Sequence, residues 1–171
     1  MSSLSRLAAV PDSATTARSP KDPIRVVLAD DHTLMRRSLR RLLDSEEGVE
    51  VVAEANDLTA VARHVYGHLP HVLVLDLGMP DGTSLDTIRW LRAQVPDTQI
   101  VVLSMQDDPA FARRALETGA VGFVLKELAD SDLPEAIRSA VRGAQFVSPR
   151  LSARLRSLSG IAYRGRPRIR S

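Results

Sequence analysis

Five polar residues stand directly after short apolar runs: Asp30 and Asp31 after Ile24–Ala29, Asp76 after Val72–Leu75, Ser104 after Ile100–Leu103, and Lys126 after Gly122–Leu125. Three carboxylates brought to one crevice repel one another, and the like charge raises a pKa or expels a side chain unless a cation compensates. A divalent metal is the natural compensation. The donors are oxygens, with no Cys in the chain and no His in a ligand's place. Such a set suits a hard octahedral ion that keeps several waters, Mg2+ or Mn2+ rather than zinc. Lys126 sharpens the point, because only two of the 23 basic residues are lysines and the other, Lys21, lies near the amino end. A compact ammonium meets a phosphoryl or carboxylate oxygen as a point charge in a cramped site, where a planar guanidinium needs more room. Metal, ammonium and the Ser104 hydroxyl together offer one contact for each equatorial oxygen of a phosphoryl group moving in line to an Asp76 oxygen. His32, His64, His68 and His71 lack metal-like partners and read as surface or helix-end residues.

These residues work together only if one scaffold aligns the ends of the apolar runs. From Ile24 onward, short β-branched runs alternate with amphipathic stretches of helix length, the pattern of βαβ units around a parallel sheet. The expected strands are Ile24–Ala29, Val49–Ala53, Val72–Leu75, Ile100–Leu103 and Gly122–Leu125. Their nearly continuous apolar character implies burial on both faces, hence helices on both sides and a three-layer α/β sandwich. Such sheets bind ligands beyond the carboxyl ends of their strands, where the strand order reverses. The first helix is expected to start after a Thr33 cap, with Leu34, Leu39, Leu42 and Leu43 on one face and Arg36, Arg37, Arg40 and Arg41 mostly outside. Others are expected over about 58–69, around Leu85, Ile88 and Leu91, over about 109–118 between an Asp107-Asp108 cap and Gly119, and over about 133–142.

The 171 residues are 44% apolar and 26% charged, which excludes a collagen-like or wholly disordered chain. The absence of cysteine excludes a disulfide framework and a thiolate nucleophile. Apolar runs are strand-sized, and the early Leu7-Ala8-Ala9-Val10 is too short for a signal-peptide core, so no membrane partner and a cytoplasmic location are expected. Charge is uneven: residues 24–149 carry a net −6, whereas residues 150–171 hold seven arginines and no acid. The expected organisation is a flexible arm over 1–23, a folded body over 24–147, and a linker helix with a basic tail over 148–171, without a complete output domain. No G-x-G and no Gly-Lys occurs, so dinucleotide, kinase and Walker loops are excluded. An aspartyl-phosphate phosphatase of the haloacid-dehalogenase type is a distant alternative, since Gly78 occupies the place of its second acid.

The set Asp30-Asp31, Asp76 with Met79-Pro80-Asp81-Gly82, Ser104, and Gly119-Ala120-Val121-Gly122-Phe123-Val124-Leu125-Lys126 resembles the receiver domain of two-component response regulators over about Ile24 to Val147. Gly143-Ala144-Gln145-Phe146-Val147-Ser148-Pro149 resembles the NarL/FixJ subclass, whose receivers usually precede a LuxR-type helix-turn-helix. The resemblance implies a flavodoxin-like (CheY-like), doubly wound, five-stranded parallel sheet of order 2-1-3-4-5. It implies Asp76 as phosphoacceptor and Mg2+ (or Mn2+) held by Asp30, Asp31, Asp76 and the Gly78 carbonyl. Ser104 and Lys126 would bind the phosphoryl group, and Phe123 would be the switch aromatic. A histidine kinase is the implied partner, with homodimerisation on phosphorylation and a part in transcription regulation rather than enzymatic turnover. Some positions depart from the common pattern. Gly78 lacks a side chain and Met105 is bulky, which predicts a long-lived phosphoryl group. Glu127 stands where proline often follows the lysine, and Phe123 lacks a tyrosine hydroxyl.

Only 22 residues follow Pro149, against roughly 60 for a compact DNA-binding helical module. Residues 150–158 fit a short amphipathic helix with Leu151, Leu155 and Leu158 on one side, so the chain reads as a receiver-only regulator or a piece of a longer one. Arg164-Gly165-Arg166-Pro167 matches the core of an AT-hook, and with Arg168 and Arg170 it gives an alternative reading as a DNA-associated regulator whose tail enters an A·T-rich minor groove.

Overall fold

The computed structural model describes residue 19, residues 21–80 and residues 85–163. Nearly all of the arm expected over 1–23 lies outside the described residues, as do Asp81, Gly82 and the tail arginines Arg164, Arg166, Arg168 and Arg170. The elements in chain order are β1 (Ile24–Ala29), α1 (Thr33–Asp44), β2 (Val49–Ala55), α2 (Leu58–His68), β3 (Val72–Asp76), α3 (Leu85–Gln94), β4 (Gln99–Ser104), α4 (Pro109–Thr118), β5 (Gly122–Leu125), a 3-10 turn (Lys126–Leu128), α5 (Ala129–Val141), β6 (Phe146–Val147) and α6 (Pro149–Tyr163).

All strand pairs are parallel, in the order β2-β1-β3-β4-β5-β6. The five expected strands hold their expected order, and two-residue β6 adds a sixth at the β5 edge. β6 escaped the sequence reading because two residues are too short to show a period. Alternation along the strands divides the interior into two cores. Val26, Leu28, Val72, Val74, Val101, Leu103 and Val124 face α1 and α5, with Leu39, Leu43, Leu133 and Ile137. Val27, Ala29, Leu73, Leu75, Ile100, Val102, Phe123 and Leu125 face the other side, where α2, α3, α4 and α6 contribute Val61, Val65, Ile88, Leu91, Ala112, Ala115 and Leu151. A period of two feeding opposite faces is what makes both cores possible from one set of continuous apolar strands.

Helix boundaries follow local chemistry. Asp57 caps α2 by accepting from the Ala60 N–H at 2.7 Å, and Asp108 caps α4 by accepting from the Ala110 N–H at 2.9 Å, with Pro109 in the first turn. Gly119 ends α4 at φ 130°, where an added Cβ would lie 2.6 Å from Arg92 Cγ. Two expectations for α1 fail. Thr33 is its first helical residue rather than its cap; His32 holds the cap position, but its side chain does not cap the helix. Leu34 is 79% exposed, whereas Leu39 and Leu43 are buried and Met35 and Leu42 pack beside them. The buried stripe is 35, 39, 42, 43, spaced four, seven and eight apart; Leu34 lies five and nine before the two buried leucines, on another face of a 3.6-residue helix. α5 begins at Ala129, four residues before its expected start, and holds Pro134 inside it, where the ring removes the N–H that would pair with the Asp130 carbonyl. α6 runs beyond the expected Leu158; Leu151 is fully buried, Leu155 partly, and Leu158 is 38% exposed.

Candidate functional site

The strand order reverses between β1 and β3, and the crevice beyond their carboxyl ends is where the sequence placed its acids. Asp30 follows β1 and is fully buried; Asp76 is the last residue of β3 and is 1% exposed. Asp31 lies beside them with its side chain 22% exposed, at the mouth of the pocket. Oxygen atoms of Asp30, Asp31 and Asp76 and a ring nitrogen of His32 all lie within 4.8 Å of one another. Lys126, directly after β5, reaches across with Nζ 2.9 Å from Asp76 Oδ2 and 3.2 Å from Asp30 Oδ2. The site therefore unites Asp30, Asp31, Asp76 and Lys126 from three separate strand ends.

The backbone shapes each carboxylate. The Gly78 N–H donates to Asp76 Oδ1 at 2.8 Å, and a Cβ on residue 78 would stand 3.2 Å from that oxygen, so glycine lets the turn close tightly on the carboxylate. The His32 N–H donates to Asp30 Oδ1 at 2.8 Å. The Arg36 guanidinium donates to the Asp30 carbonyl at 2.7 Å and pairs with Glu54 on β2 at 3.2 Å, which ties the loop after β1 to the sheet edge. Ser104 ends β4 and is 4% exposed; its neighbour Leu103 is the register partner of Asp76, and the Leu77 N–H donates to the Leu103 carbonyl at 3.1 Å. In this arrangement the Ser104 hydroxyl oxygen accepts from the Gln106 N–H at 3.0 Å, so its own loop engages it.

Electrostatically the pocket is a compromise. Burial pushes the Asp30 carboxyl above its ordinary value, the Asp76 charge adds to that, and the His32 N–H and the Lys126 ammonium oppose it. Burial works against the Lys126 charge, but the nearby Asp76 and Asp30 carboxylates outweigh it and hold the ammonium's pKa above the usual lysine value. One ammonium serves two buried carboxylates, and its geometry is imperfect: Asp30 Oδ2 and Asp76 Oδ2 lie at ion-pair distance from it but out of hydrogen-bond alignment. Asp31 Oδ1 is likewise a buried oxygen without a hydrogen bond. Buried acceptors left in this condition are costly. Three such oxygens on three carboxylates meet the demands of a hard divalent cation, so the residues present fit Mg2+.

For two histidines the structure differs from the sequence reading. His32 is no bystander: its Nδ1 lies 3.3 Å from both Asp30 Oδ1 and Asp31 Oδ1, a position its adjacency to the acid pair could have signalled. His71 is structural, its Nδ1 accepting from the Arg25 N–H at 2.9 Å. Phe123 does not line the pocket. It is fully buried under α4, edge-on to Phe111 with ring centroids 6.0 Å apart. The Arg114 guanidinium lies 5.8 Å from the Phe111 ring centre. Met105 is 77% exposed beside Ser104, and Asp81 and Gly82 lie outside the described residues. The sequence reading also missed Ser148, which is fully buried beside the end of β5, its Oγ accepting from the Leu125 N–H.

Residues 26–138 match the family model described as the response regulator receiver domain. Among curated proteins, the transcriptional regulatory protein DegU of Brevibacillus brevis is 33% identical over 135 residues, which cover 79% of this chain and 57% of that protein. The transcriptional regulatory protein RcsB of Escherichia coli is 33% identical over 141 residues, covering 81% of this chain and 65% of that protein. The chain thus spans about three-fifths of the length of the curated relatives it matches. The crystal structure of a two-component response regulator of the LuxR family from an Aurantimonas species superposes with a TM-score of 0.77 at 30% identity, covering 81% of this chain and 99% of that one.

Proposed function

The chain belongs to the response regulator receiver domain family, and from that premise we propose that it accepts a phosphoryl group on Asp76 from a histidine kinase and relays the event through its surface. The observation that carries this reading is a buried Asp76 carboxylate held 2.9 Å from Lys126, among further acids whose buried oxygens lack hydrogen-bond partners. An Asp76 oxygen attacks the phosphorus of a phosphohistidine; a P–O bond forms, the P–N bond breaks, and its electron pair stays on the imidazole, which takes a proton from solvent. The Gly78 N–H on Asp76 Oδ1 orients the carboxylate for that attack. Lys126 turns from the carboxylates to an oxygen of the transferred group, and Ser104 leaves the Gln106 N–H to donate to another. Mg2+ or Mn2+, when bound by Asp30, Asp31, Asp76 and the Gly78 carbonyl, neutralises charge on the phosphoryl group.

Withdrawal of Ser104 toward the new anion frees space beneath α4, and buried Phe123, edge-on to the partly buried Phe111, is the packing that such a movement disturbs. The signal then passes to the α4–β5 surface, and a homodimer is the assembly through which a relative such as this would act on transcription. The test is incubation with acetyl phosphate and Mg2+, followed by intact-mass measurement. The wild type gains one phosphoryl group and Asp76→Asn gains none; labelling of Asp76→Asn, or turnover of the donor without accumulation, overturns the reading.

A further inference from the structure

The short strand β6 ends at Val147, and α6 begins at Pro149. Between them the Ser148 N–H still follows the sheet, donating to the Phe123 carbonyl at 3.0 Å. Its side chain then supplies the next rung: Ser148 Oγ accepts from the Leu125 N–H at 3.1 Å, where a continuing strand would have offered a carbonyl. A free hydroxyl rotates and so makes an indefinite acceptor, but here the rotor is set, because the Ser148 O–H donates to Asp132 Oδ2 on α5 at 2.7 Å. With its proton committed to a carboxylate, the lone pairs are left for the Leu125 amide.

Leu125 is a consequential residue to hold. It is the register partner of Ser104 across the β4–β5 ladder and the immediate neighbour of Lys126. On the other side of Lys126, Glu127 is gripped by Arg150 from the first turn of α6, Nη1 to Oε1 at 2.6 Å. One turn later the Arg154 guanidinium donates to the Asp107 carbonyl at 2.8 Å, in the loop that runs on from Ser104. Leu151, between these arginines, is fully buried in the core on the α4 side. The segment from Ser148 to Arg154 thus touches both loops that carry phosphoryl-binding groups, yet none of its side chains enters the acidic pocket.

We propose that Ser148 is a positioning residue for phosphoryl transfer, setting the end of β5 so that Lys126 stands opposite Asp76, with Arg150 of α6 as its second brace. This rests on the reading of Asp76 as phosphoacceptor. Coupling is reciprocal, so whatever loosens or tightens α6 alters the readiness of Lys126, and a change at Lys126 reaches α6.

The test compares wild type, Ser148→Cys, Ser148→Ala and Arg150→Ala in the full chain. Cysteine nearly keeps the shape of serine but hydrogen-bonds weakly, so Ser148→Cys removes the brace with little change in packing. Two quantities are measured: the rate of Asp76 phosphorylation by acetyl phosphate, and the Kd for Mg2+ alone. The metal-binding carboxylates stand at the ends of β1 and β3, and a displaced Lys126 takes a competing cation away from them rather than weakening the metal site, so a lost rate with Mg2+ binding retained separates positioning from a structural defect. The expected result is a rate about tenfold lower in both Ser148 variants and about twofold lower in Arg150→Ala, with the Mg2+ Kd no more than about twofold above that of wild type. A Ser148→Cys rate equal to wild type overturns the proposal. So does a parallel loss of Mg2+ binding, which marks a merely structural residue. A wild type that takes no phosphoryl group overturns the reading of Asp76 itself, and the positioning role falls with it.

Discussion

At the scale of the residue, the pocket holds its acids at a cost in stability. Asp30 is buried, shares one ammonium with Asp76, and has its pKa raised chiefly by burial. Between its unfolded value of 3.8 and the raised folded one, the native state binds more protons than the unfolded chain, so the contribution of Asp30 to stability falls as pH rises and stays unfavourable at neutrality. Asp30→Asn removes that liability while keeping the shape. Without metal, Asp30→Asn is expected to melt at a higher temperature than wild type at pH 7, with the gap closing as pH falls through the raised value toward 3.8. Thermal melts across that range check this, and a variant that melts lower than wild type at pH 7 contradicts it. Most of the site was legible at this scale: Asp30, Asp31, Asp76, Ser104 and Lys126 each follow an apolar run, and strand ends in a parallel sheet share one edge. His32 and Ser148 were not legible, because their roles depend on which ring face or hydroxyl proton meets which partner across the fold.

At the scale of the element, capping and period account for most boundaries, and one helix end carries visible strain. α2 stops at Leu69 with φ 45°, a left-handed conformation that costs an L-residue about 1–2 kcal/mol. Glycine adopts it freely and is the usual choice there, whereas Leu69 is 66% exposed and gains little from packing. Leu69→Gly is therefore expected to stabilise the protein by about 0.5–1 kcal/mol, after the entropy glycine returns to the unfolded chain. Denaturant unfolding with an unchanged m-value checks this, and a loss of stability would show that Leu69 packs more than its exposure suggests. The sequence reading ended α2 at about this point but offered no reason for it, since neither glycine nor asparagine marks the stop. Its error at Leu34 was one of phase: a leucine counted onto the wrong stripe, which the 3.6-residue period alone could have corrected.

At the scale of the whole molecule, two cores on opposite sides of one sheet hold the strand ends in register, and the acids, the lysine and α6 are consequences of that register. A cation that binds only the folded arrangement stabilises all of it, by about 2.7 kcal/mol at a hundredfold excess over its Kd. Mg2+ is accordingly expected to raise the wild-type Tm in a concentration-dependent way and to leave Asp30→Asn much less affected; equal shifts in the two would place the ion elsewhere. The amino-acid sequence by itself determined the layered parallel sheet, because continuous β-branched runs separated by amphipathic stretches have few other ways to bury both strand faces. It also determined the chemistry of the strand ends, because residue type and position after a strand are local facts. Only the tertiary structure decided that β6 extends the sheet, that Ser148 completes the ladder beside Lys126, and that Arg150 and Arg154 grip the loops of the pocket. Those contacts join residues 23 to 47 positions apart, and a hydrogen bond of that span leaves no period, run or spacing in the chain for a reader to find.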